Sequence, residues 1–455
     1  MDRKPNILLV FSDQHRWCDL GCYGNEEVIS PNFDAFAAKA AVFTNCISNS
    51  PVCVPARGSL LTGLMAHRHQ AITNDLPIDT SAESIATVLN KNGYHTGYIG
   101  KWHLGGVPRS RVIPEHERLG FNEWKVCNCN HNYLNSHYYD ENNQKHLVQE
   151  YEPIEQTNLA IDFIQRNSGN PWGLAVSYGP PHDPYFQVPD RYMNLYRNSD
   201  LSIRDNVPDS ILHTKEVRLT KEDIGNNLKG YYAHITALDE QFGRLIDTLD
   251  AQGELDNTII VYTSDHGDML GSQGLTNKQL PYDESIKVPL MIYYKDKTRC
   301  TVSDEILSLV DLPVSLLGLA NMRFANEVDG EDQHRLFIDP QAKGSEYAYI
   351  HDLVPCHQAY FRGSVEWRGI RTKTFTYARS SDFSFAVLFN NQEDPLQCHN
   401  LISDTLLRNK LENQLRAAIS KFGDEDLPWD QFIRKFGYVS EWNKSQQFFS
   451  LPTLD

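Results

Sequence analysis

The sequence predicts an α/β fold built on a doubly wound, largely parallel sheet, with a smaller α+β part at the C-terminus. Two observations predict it. Helical segments alternate with short apolar runs along the first part of the chain, which is the pattern of βαβ units. After about residue 345 the runs become short, aromatic and β-branched, with turn-like stretches between them, which is typical of antiparallel strands. We therefore predict two domains, residues 1–345 and residues 346–455.

In the first domain, apolar runs that predict buried strands each end in a cluster of polar side chains. Four runs follow this rule: NILLVF before Asp13 and Gln14, YHTGYIG before Lys101 and His103, WGLAVSY before His182, and NTIIVYTS before Asp265 and His266. Because ligands bind beyond the carboxyl ends of the strands in such sheets, we expect the four clusters to meet at one edge. The sequence therefore predicts a functional site at that edge.

Helical segments precede three of these strands: SIATVLNKNG, where Gly93 is placed to end the helix, IEQTNLAIDFIQRN, and HITALDEQFGRLIDTLDAQG. In the second domain four runs predict the strands of a small antiparallel sheet: YAYIHDL, HQAYFRG, WRGIRTKTFTYAR and FAVLFNN. We expect the last helical segment, LLRNKLENQLRAAISKFG, to pack against that sheet.

The composition of the 455-residue chain is that of a globular enzyme, and its formal charge is −17. This charge argues against nucleic acid or an anionic membrane as the main partner. It does not exclude an anionic small substrate, because a local basic pocket can oppose the overall field. No apolar run approaches the length that spans a membrane.

The N-terminal segment MDRKPNILLVFSD lacks the features of a signal peptide, because its apolar run Ile7–Phe11 is short and ends in Ser-Asp. The nine cysteines are an odd number and are scattered, which does not fit a secreted disulfide framework. We therefore expect a cytoplasmic protein whose thiols are mostly buried, unless a leader has been removed from the chain.

The stretch SPVCVPARGSLLTG, residues 50–63, places Cys53 at the start of a predicted helix. The helix dipole and Arg57 are both expected to lower the pKa of this thiol. An isolated cysteine is more often a small buried apolar residue. The pattern Cys53-x-Pro-x-Arg57, followed by Leu-Thr-Gly at residues 61–63, points beyond that interpretation.

That pattern resembles the signature of the type I sulfatases. The resemblance extends along most of the chain, in the order of the family, to Asp13-Gln14, Gly100-Lys101-Trp102-His103-Leu104-Gly105, His182, Asp265-His266-Gly267 and Lys278. It implies an alkaline-phosphatase-like fold and the hydrolysis of a sulfate monoester, borne by a sulfated carbohydrate or a related small molecule. It also implies that a maturation enzyme, as a partner, oxidises Cys53 to Cα-formylglycine.

The hydrated aldehyde of formylglycine carries two hydroxyls on one carbon, which explains why the family makes it. One hydroxyl attacks the sulfur of the ester and the alcohol leaves. The other is then deprotonated, the hemiacetal collapses and inorganic sulfate departs. A serine would be sulfated in the same way but would lack the second hydroxyl that expels the product.

The resemblance also implies a divalent cation held by Asp13 and Asp265, with Gln14 and His266 beside them. The sequence departs from the commonest family pattern at two positions, because Gln14 stands where an aspartate is usual and His266 where an asparagine is usual. These changes remove one negative charge and add a nitrogen donor. Calcium is the first choice for the metal, and manganese is the alternative.

The same resemblance implies roles for the remaining site residues. Lys101 contacts the sulfate, and His103 is the base that takes the proton from the second hydroxyl. His182, between prolines in PPHDP, is the general acid for the leaving alcohol. Lys278 is a further cation over the sulfate. Arg57 orients the formylglycine.

Two other functions remain open at this point. Phosphonate monoester and phosphodiester hydrolases resemble sulfatases and share the Asp-Gln and Asp-His pattern. In them the Lys-x-His pair is replaced by neutral hydroxyl residues, so Lys101 and His103 favour a sulfatase. The other alternative is a protein that binds sulfated glycans without turning them over, if Cys53 is never oxidised.

Weaker signals surround these motifs. Cys127, Cys129 and His131 lack the spacing of a zinc site. The polar and aromatic loop over residues 128–143 suits either sugar binding or a solvated surface. Four residues near the strands of the second domain are candidates for the rim of the pocket: His351, His357, Arg362 and Trp367.

Overall fold

The structure, a computed structural model, describes residues 3–454 and contains a large central sheet flanked by helices. The strands are β1 (Asn6–Asp13), β2 (Ala41–Ile47), β3 (His95–Lys101), β4 (Glu123–Cys127), β5 (His137–Tyr139), β6 (Lys145–Leu147), β7 (Trp172–Pro181), β8 (Ser210–Leu212), β9 (Arg218–Thr220), β10 (Thr258–Ser264), β11 (Lys287–Tyr293), β12 (Thr301–Ser308), β13 (Tyr347–Asp352), β14 (Trp367–Thr372), β15 (Phe375–Arg379) and β16 (Ala386–Asn390). The helices are α1 (Pro31–Ala37), α2 (Cys53–Thr62), α3 (Ala66–His69), α4 (Ile85–Lys91), α5 (Glu152–Asn167), α6 (Asp190–Tyr196), α7 (Lys221–Ala251), α8 (Asp283–Ile286), α9 (Leu312–Leu319), α10 (Arg335–Ile338), α11 (His357–Arg362), α12 (Thr405–Phe422), α13 (Trp429–Lys435) and α14 (Val439–Phe448).

The central sheet has ten strands in the order β12-β2-β11-β10-β1-β7-β3-β4-β5-β6. Its middle is parallel, because β10, β1, β7, β3 and β4 all run the same way. Antiparallel pairs lie on either side, at β11 and at the short strands β5 and β6. The predicted largely parallel sheet is confirmed, and the four strands with polar ends are direct neighbours.

Strand β1 shows why the sheet is doubly wound. All eight of its residues are buried, as expected for a parallel strand covered on both faces. Ile7 and Phe11 point into one core, where α4 and α9 pack. Leu8 and Val10 point into a second core on the other face, where α5 and α7 pack.

The C-terminal region forms a four-stranded antiparallel sheet, β13-β14-β15-β16, with α12 packed against it, as predicted. The run HQAYFRG is the exception, because it forms helix α11 and not a strand. It lacks β-branched residues, and Gly363, at φ 79°, ends the helix in the left-handed conformation. The division of the chain at residue 345 stays a prediction.

Two short helices that the sequence patterns did not reveal, α13 and α14, follow α12. Phe432 and Trp442 on these helices pack against Leu76 and Leu353, so the C-terminal segment covers the region behind α3. This packing brings the segment after α14 toward the carboxyl edge of the central sheet.

The cysteines of the described residues are free thiols, and five of them are buried, including Cys53. The expectation of mostly buried thiols is therefore confirmed. Within residues 3–454 no helix has both the length and the apolar character needed to cross a lipid bilayer.

Gly100 is the position in β3 where a larger residue would meet the closest contact. It adopts φ 111°, and a Cβ atom added there would lie 2.0 Å from the carbonyl oxygen of Ser177 on β7. We expect Gly100→Ala to push β3 from β7 and to lower the melting temperature, at a cost of about 2 kcal/mol or more. The control is Gly225→Ala on α7, where the new Cβ meets only Ile203 Cδ1 at 3.6 Å. Equal melting temperatures for the two variants would contradict this account.

Candidate active site

The four polar clusters lie at one edge of the sheet, beyond the carboxyl ends of β10, β1, β7 and β3. The ten predicted site residues come together there, linked by the contacts described below. They are Asp13, Gln14, Cys53, Arg57, Lys101, His103, His182, Asp265, His266 and Lys278. Each is at most 6% exposed, so the centre of the site is closed to bulk water.

Arg57 holds the two aspartates at the floor of the site. Its Nη2 donates to Asp13 Oδ2 and its Nε donates to Asp265 Oδ2, each at 2.9 Å. Its Nη1 donates to the main-chain oxygen of Lys101 at 2.9 Å and to Ser177 Oγ at 2.7 Å. The guanidinium therefore binds one oxygen of each carboxylate and ties the ends of β1, β3, β7 and β10 together.

The other oxygens of these carboxylates form a candidate metal site. One ligand atom from each of Asp13, Cys53, Asp265 and His266 lies within 4.8 Å of the others, and all four residues are buried. His266 Nδ1 lies 2.9 Å from the carbonyl oxygen of Gly267, to which it can donate. That hydrogen bond leaves His266 Nε2 with a free lone pair directed at the cluster, as a metal ligand requires.

Gln14 lies beside this cluster and links it to Lys278. Its side-chain oxygen accepts from Lys278 Nζ at 2.5 Å, and its Nε2 donates to Asp268 Oδ2 at 2.6 Å. Gln14 adopts φ 68°, which is uncommon for a residue other than glycine and is the kind of strain found at functional sites. Asp268 is a site neighbour that the sequence motifs did not single out.

Cys53 is the first residue of α2, as predicted, and its thiol faces the metal ligands. Sγ lies 3.2 Å from His266 Nε2 and 3.7 Å from Asp13 Oδ1. Burial disfavours the thiolate, but the charges of Lys278 and Lys101 outweigh it and hold the pKa of this thiol well below its ordinary value. The surroundings of this atom therefore favour negative charge.

Two buried lysines, Lys101 and Lys278, lie near Cys53 and act on its thiol through their charges. Lys101 Nζ donates to Asp13 Oδ2 at 2.6 Å. Burial lowers the pKa of Lys101, but Asp13 and Cys53 more than compensate and raise it above its usual value. Lys278 Nζ lies 2.6 Å from His182 Nε2. Two cations at one buried position provide the charge that an anionic group needs when it leaves water.

His182 is held by its own loop and by a second histidine. Its Nδ1 lies 2.8 Å from the carbonyl oxygen of Asp183, to which it can donate, so Nε2 is left to accept from Lys278 Nζ. The ring of His131 stacks on it, with centroids 4.5 Å apart. Burial lowers the pKa of His131 to about 4, so this ring is neutral. No motif predicted a role for His131, although it lies in the loop that the sequence marked for sugar binding.

His103 follows β3 at φ 61° and lies over a buried aspartate. Its Nε2 is 3.6 Å from Asp75 Oδ1. Asp75 also accepts two hydrogen bonds from Arg109 at 2.8 Å and lies 2.9 Å from His357 Nε2. Asp75 and Arg109 belong to no predicted motif.

These residues line a pocket of about 260 Å³, whose floor is Cys53. Its walls come from several loops and from the C-terminal segment: Asn74, His103, Arg109, His131, His182, Asp183, Lys278, His357, Phe361, Phe449 and Leu451. Of the rim candidates His357 reaches the pocket, whereas His351 and Trp367 are buried outside it. No metal-ligand cluster found in residues 3–454 includes Cys127 or Cys129.

Comparison with known protein families agrees with this arrangement. The family described as Sulfatase matches residues 5–322. The protein belongs to the sulfatase family. A second family, described as N-sulphoglucosamine sulphohydrolase, C-terminal, matches residues 271–424 of this sulfatase. The predicted membership of the type I sulfatases, and with it sulfuric ester hydrolase activity, is confirmed.

Individual relatives of the sulfatase extend over almost the whole chain. The Ulvan-active sulfatase of Formosa agariphila is 35% identical over 451 residues, which cover 97% of this chain and 86% of the relative. The Endo-4-O-sulfatase of Bacteroides thetaiotaomicron is 30% identical and covers 93% of each chain. The solved structure of yidJ from Bacteroides fragilis is 28% identical, with a TM-score of 0.84 over 95% of this chain and 99% of that one. The predicted alkaline-phosphatase-like fold is confirmed.

The phosphonate monoester hydrolase of Agrobacterium radiobacter shares the fold of the sulfatase, with a TM-score of 0.76 over 93% of this chain and 96% of that one. At 20% identity this likeness concerns the fold alone. The alternative of phosphonate hydrolysis therefore gains no support beyond the shared architecture.

In this sulfatase the C-terminal region holds the loop that carries Lys278. The residues on both sides of the lysine, Asn277 and Gln279, adopt φ 63° and 71°. The Gln279 side chain accepts from the main-chain nitrogen of Cys356 and donates to its oxygen, both at 2.9 Å. Arg362 donates to the carbonyl oxygen of Thr276 at 2.8 Å. These contacts stabilise a strained loop that would otherwise relax.

We expect Gln279→Ala to lower kcat about tenfold or more, since in the role predicted for Lys278 a shift of about 1 Å misaligns it with the substrate sulfate. KM and metal content should change less. The control is Gln273→Ala, because Gln273 also has a positive φ (57°) and its side chain also donates to main-chain oxygens, those of Leu396 and Gln397. Equal loss of kcat in both variants would show that the effect is only one of stability.

Proposed function

We propose that this sulfatase hydrolyses the sulfate monoester of a sulfated carbohydrate, that Cys53 is its formylglycine precursor, and that it uses a divalent cation. The observation that carries the proposal is the packing of four ligand atoms within 4.8 Å of one another, where one of the four residues, Cys53, lines a pocket and feels the charges of Lys278 and Lys101. An anion that enters the pocket meets positive charge on one side and the Cys53 position on the other.

The residues of the floor fit a divalent cation. Asp13 and Asp265 each keep one carboxylate oxygen toward the cluster because Arg57 occupies the other. His266 Nε2 adds a nitrogen donor. The oxygen donors suit calcium, our first choice, and the imidazole makes manganese the alternative. When bound, the cation would neutralise one sulfate oxygen and polarise the nucleophile.

Formylglycine at position 53 would supply the nucleophilic hydroxyl and a second hydroxyl that expels sulfate. The chain positions that group at the first turn of α2, where Arg57, one turn later, fixes the carboxylates beside it. A maturation enzyme is the partner that this modification requires. Its action on Cys53 and the cytoplasmic location of the protein stay predictions.

The other residues bind the sulfate and move protons. Lys101 and Lys278 bind the sulfate oxygens. Both lysines are buried near Cys53, so their positive charges face an anion that reacts at that position. His182 is the general acid for the leaving alcohol; the proton passes through Nε2, which lies 2.6 Å from Lys278 Nζ, while Nδ1 stays bound to a carbonyl oxygen. His103 accepts a proton at the Cys53 position, and the carboxylate of Asp75, whose Oδ1 lies 3.6 Å from Nε2, stabilises the charge that His103 then carries.

Three features support a sulfated carbohydrate over a phosphonate ester. Both lysines and His103 are buried at the site, whereas phosphonate hydrolases replace the Lys-x-His pair by neutral hydroxyl residues. The relatives with named substrates include the Ulvan-active sulfatase of Formosa agariphila. The polar and aromatic lining of the pocket also suits a sugar, whose hydroxyls need hydrogen bonds and whose faces pack on rings.

We expect Cys53→Ala and Cys53→Ser to abolish steady-state hydrolysis of an aryl sulfate. The two variants should differ in mass after incubation with substrate, because the serine can accept a sulfo group that it cannot expel. Intact-mass spectrometry measures this adduct. The control, Cys300→Ser, replaces an exposed thiol and should keep activity. Turnover by Cys53→Ala at the wild-type rate would end the proposal.

We expect removal of the metal by a chelator to abolish activity and added calcium or manganese to restore it. Asp265→Asn should lower the metal content of the purified protein, because one carboxylate oxygen of the cluster becomes part of a neutral amide. Elemental analysis by mass spectrometry measures this loss independently of turnover. The control is Asp256→Asn, since Asp256 is an exposed partner of Lys295. Full activity of protein shown to contain no metal would refute the metal assignment.

A further inference from the structure

The pocket contains a cationic group that the reaction does not use. Arg109 lines the pocket together with Lys278 and comes from the loop after β3, but it pairs with Asp75, whereas Lys101 and Lys278 bind Asp13 and Gln14. Its side chain is only 18% exposed. Most of this guanidinium is buried at the pocket, and such burial costs free energy unless its donors are bound.

One edge of the Arg109 guanidinium is bound and the opposite edge is not. Nε donates to Asp75 Oδ1 and Nη2 donates to Asp75 Oδ2, both at 2.8 Å. This side-on pair leaves Nη1 on the far edge, directed away from Asp75. Nη1 has no hydrogen-bond partner among the residues that the structure describes, so it remains available to a ligand in the pocket.

The guanidinium is also fixed in place from other directions. His357 Nε2 lies 3.1 Å from Arg109 Nη2 and 2.9 Å from Asp75 Oδ2. The ring of Phe449, in the segment after α14, lies 4.7 Å from the guanidinium carbon. A cation held by a carboxylate, an imidazole and an aromatic face is preorganised, so little conformational entropy is lost when it binds a ligand.

The pocket is too small for more than about one sugar unit, since about 260 Å³ lies below the usual range of about 300–1,000 Å³ for sites that take drug-sized ligands. If the two lysines hold the scissile sulfate, as the proposed function requires, Arg109 faces another part of the same sugar. Asp75 balances the charge of Arg109. Nη1 therefore selects among ligands through a directed hydrogen bond more than through net charge. The best partner for such a donor is an anionic oxygen.

We propose that Arg109 binds a second anionic substituent, a carboxylate or a second sulfate, on the sugar that carries the scissile sulfate ester. The substrate class is then a uronic acid sulfate or a sugar disulfate. This inference rests on the proposed function for the placement of the sulfate. Phe449 belongs to the same subsite, because it packs on the guanidinium and closes that wall.

The test measures affinity in a Cys53→Ala background, where sugars bind without being turned over. Titration calorimetry uses a panel in which each sugar monosulfate is paired with the uronic acid that carries sulfate at the same position and with the disulfate. At least one dianionic sugar should bind about tenfold to hundredfold more tightly than its monosulfate, as expected for a charge-assisted hydrogen bond. The uronate and disulfate arms show which anion is recognised.

Arg109→Gln should remove this preference, with a much smaller change in affinity for the monosulfate. Arg109→Lys keeps a positive charge next to Asp75, so it guards against a folding defect, and it should recover only part of the preference. Arg166→Gln, on the outer face of α5 and paired there with Glu123, is the control for loss of one positive charge. Melting temperatures of all variants are measured in parallel.

Equal affinity of the Cys53→Ala protein for every pair, or an equal loss on both members of a pair in Arg109→Gln, would overturn the inference. In the second case Arg109 would only support Asp75 behind His103. Failure of the proposed function would give a different result. Protein that keeps residue 53, converted to formylglycine, would then hydrolyse no sulfate ester, while the affinity pattern persisted.

Discussion

The contact of Arg57 with Asp13 and Asp265 is the interaction on which the site depends. Two carboxylates that are buried together repel each other and resist ionisation. The guanidinium offsets part of this repulsion by binding one oxygen of each, although burial and Asp13 still raise the pKa of Asp265, and it leaves the other two oxygens directed at the metal-ligand cluster. A buried ion network of this kind adds little net stability, so we interpret it as an element that sets geometry.

Around this floor the site is assembled from distant parts of the chain. Strand ends supply the aspartates and Lys101, but Lys278 depends on the C-terminal region, which binds its loop through Cys356 and Arg362. The segment after α14 then closes the pocket with Phe449. The C-terminal region therefore contributes directly to the candidate active site.

The sequence predicted the parallel centre of the sheet and the ten site residues that the structure brings together, because strand ends and motifs are local features. It missed His131, Asp75, Arg109 and Phe449, which lie on loops or in the C-terminal segment. Only tertiary packing, such as that of α13 and α14 behind α3, brings such residues to the pocket. The strand predicted for HQAYFRG was wrong because aromatic content was weighed above the lack of β-branched residues.

Asp75 connects His103 with Arg109, because its carboxylate lies 3.6 Å from His103 Nε2 through one oxygen and accepts from Arg109 through both. Any substrate group that moves Arg109 therefore also acts on the aspartate behind His103. Selectivity that arises there should appear in kcat as well as in KM, since the charge on His103 matters only when the proton moves. A pocket with separate recognition and catalytic residues would show selectivity in KM alone.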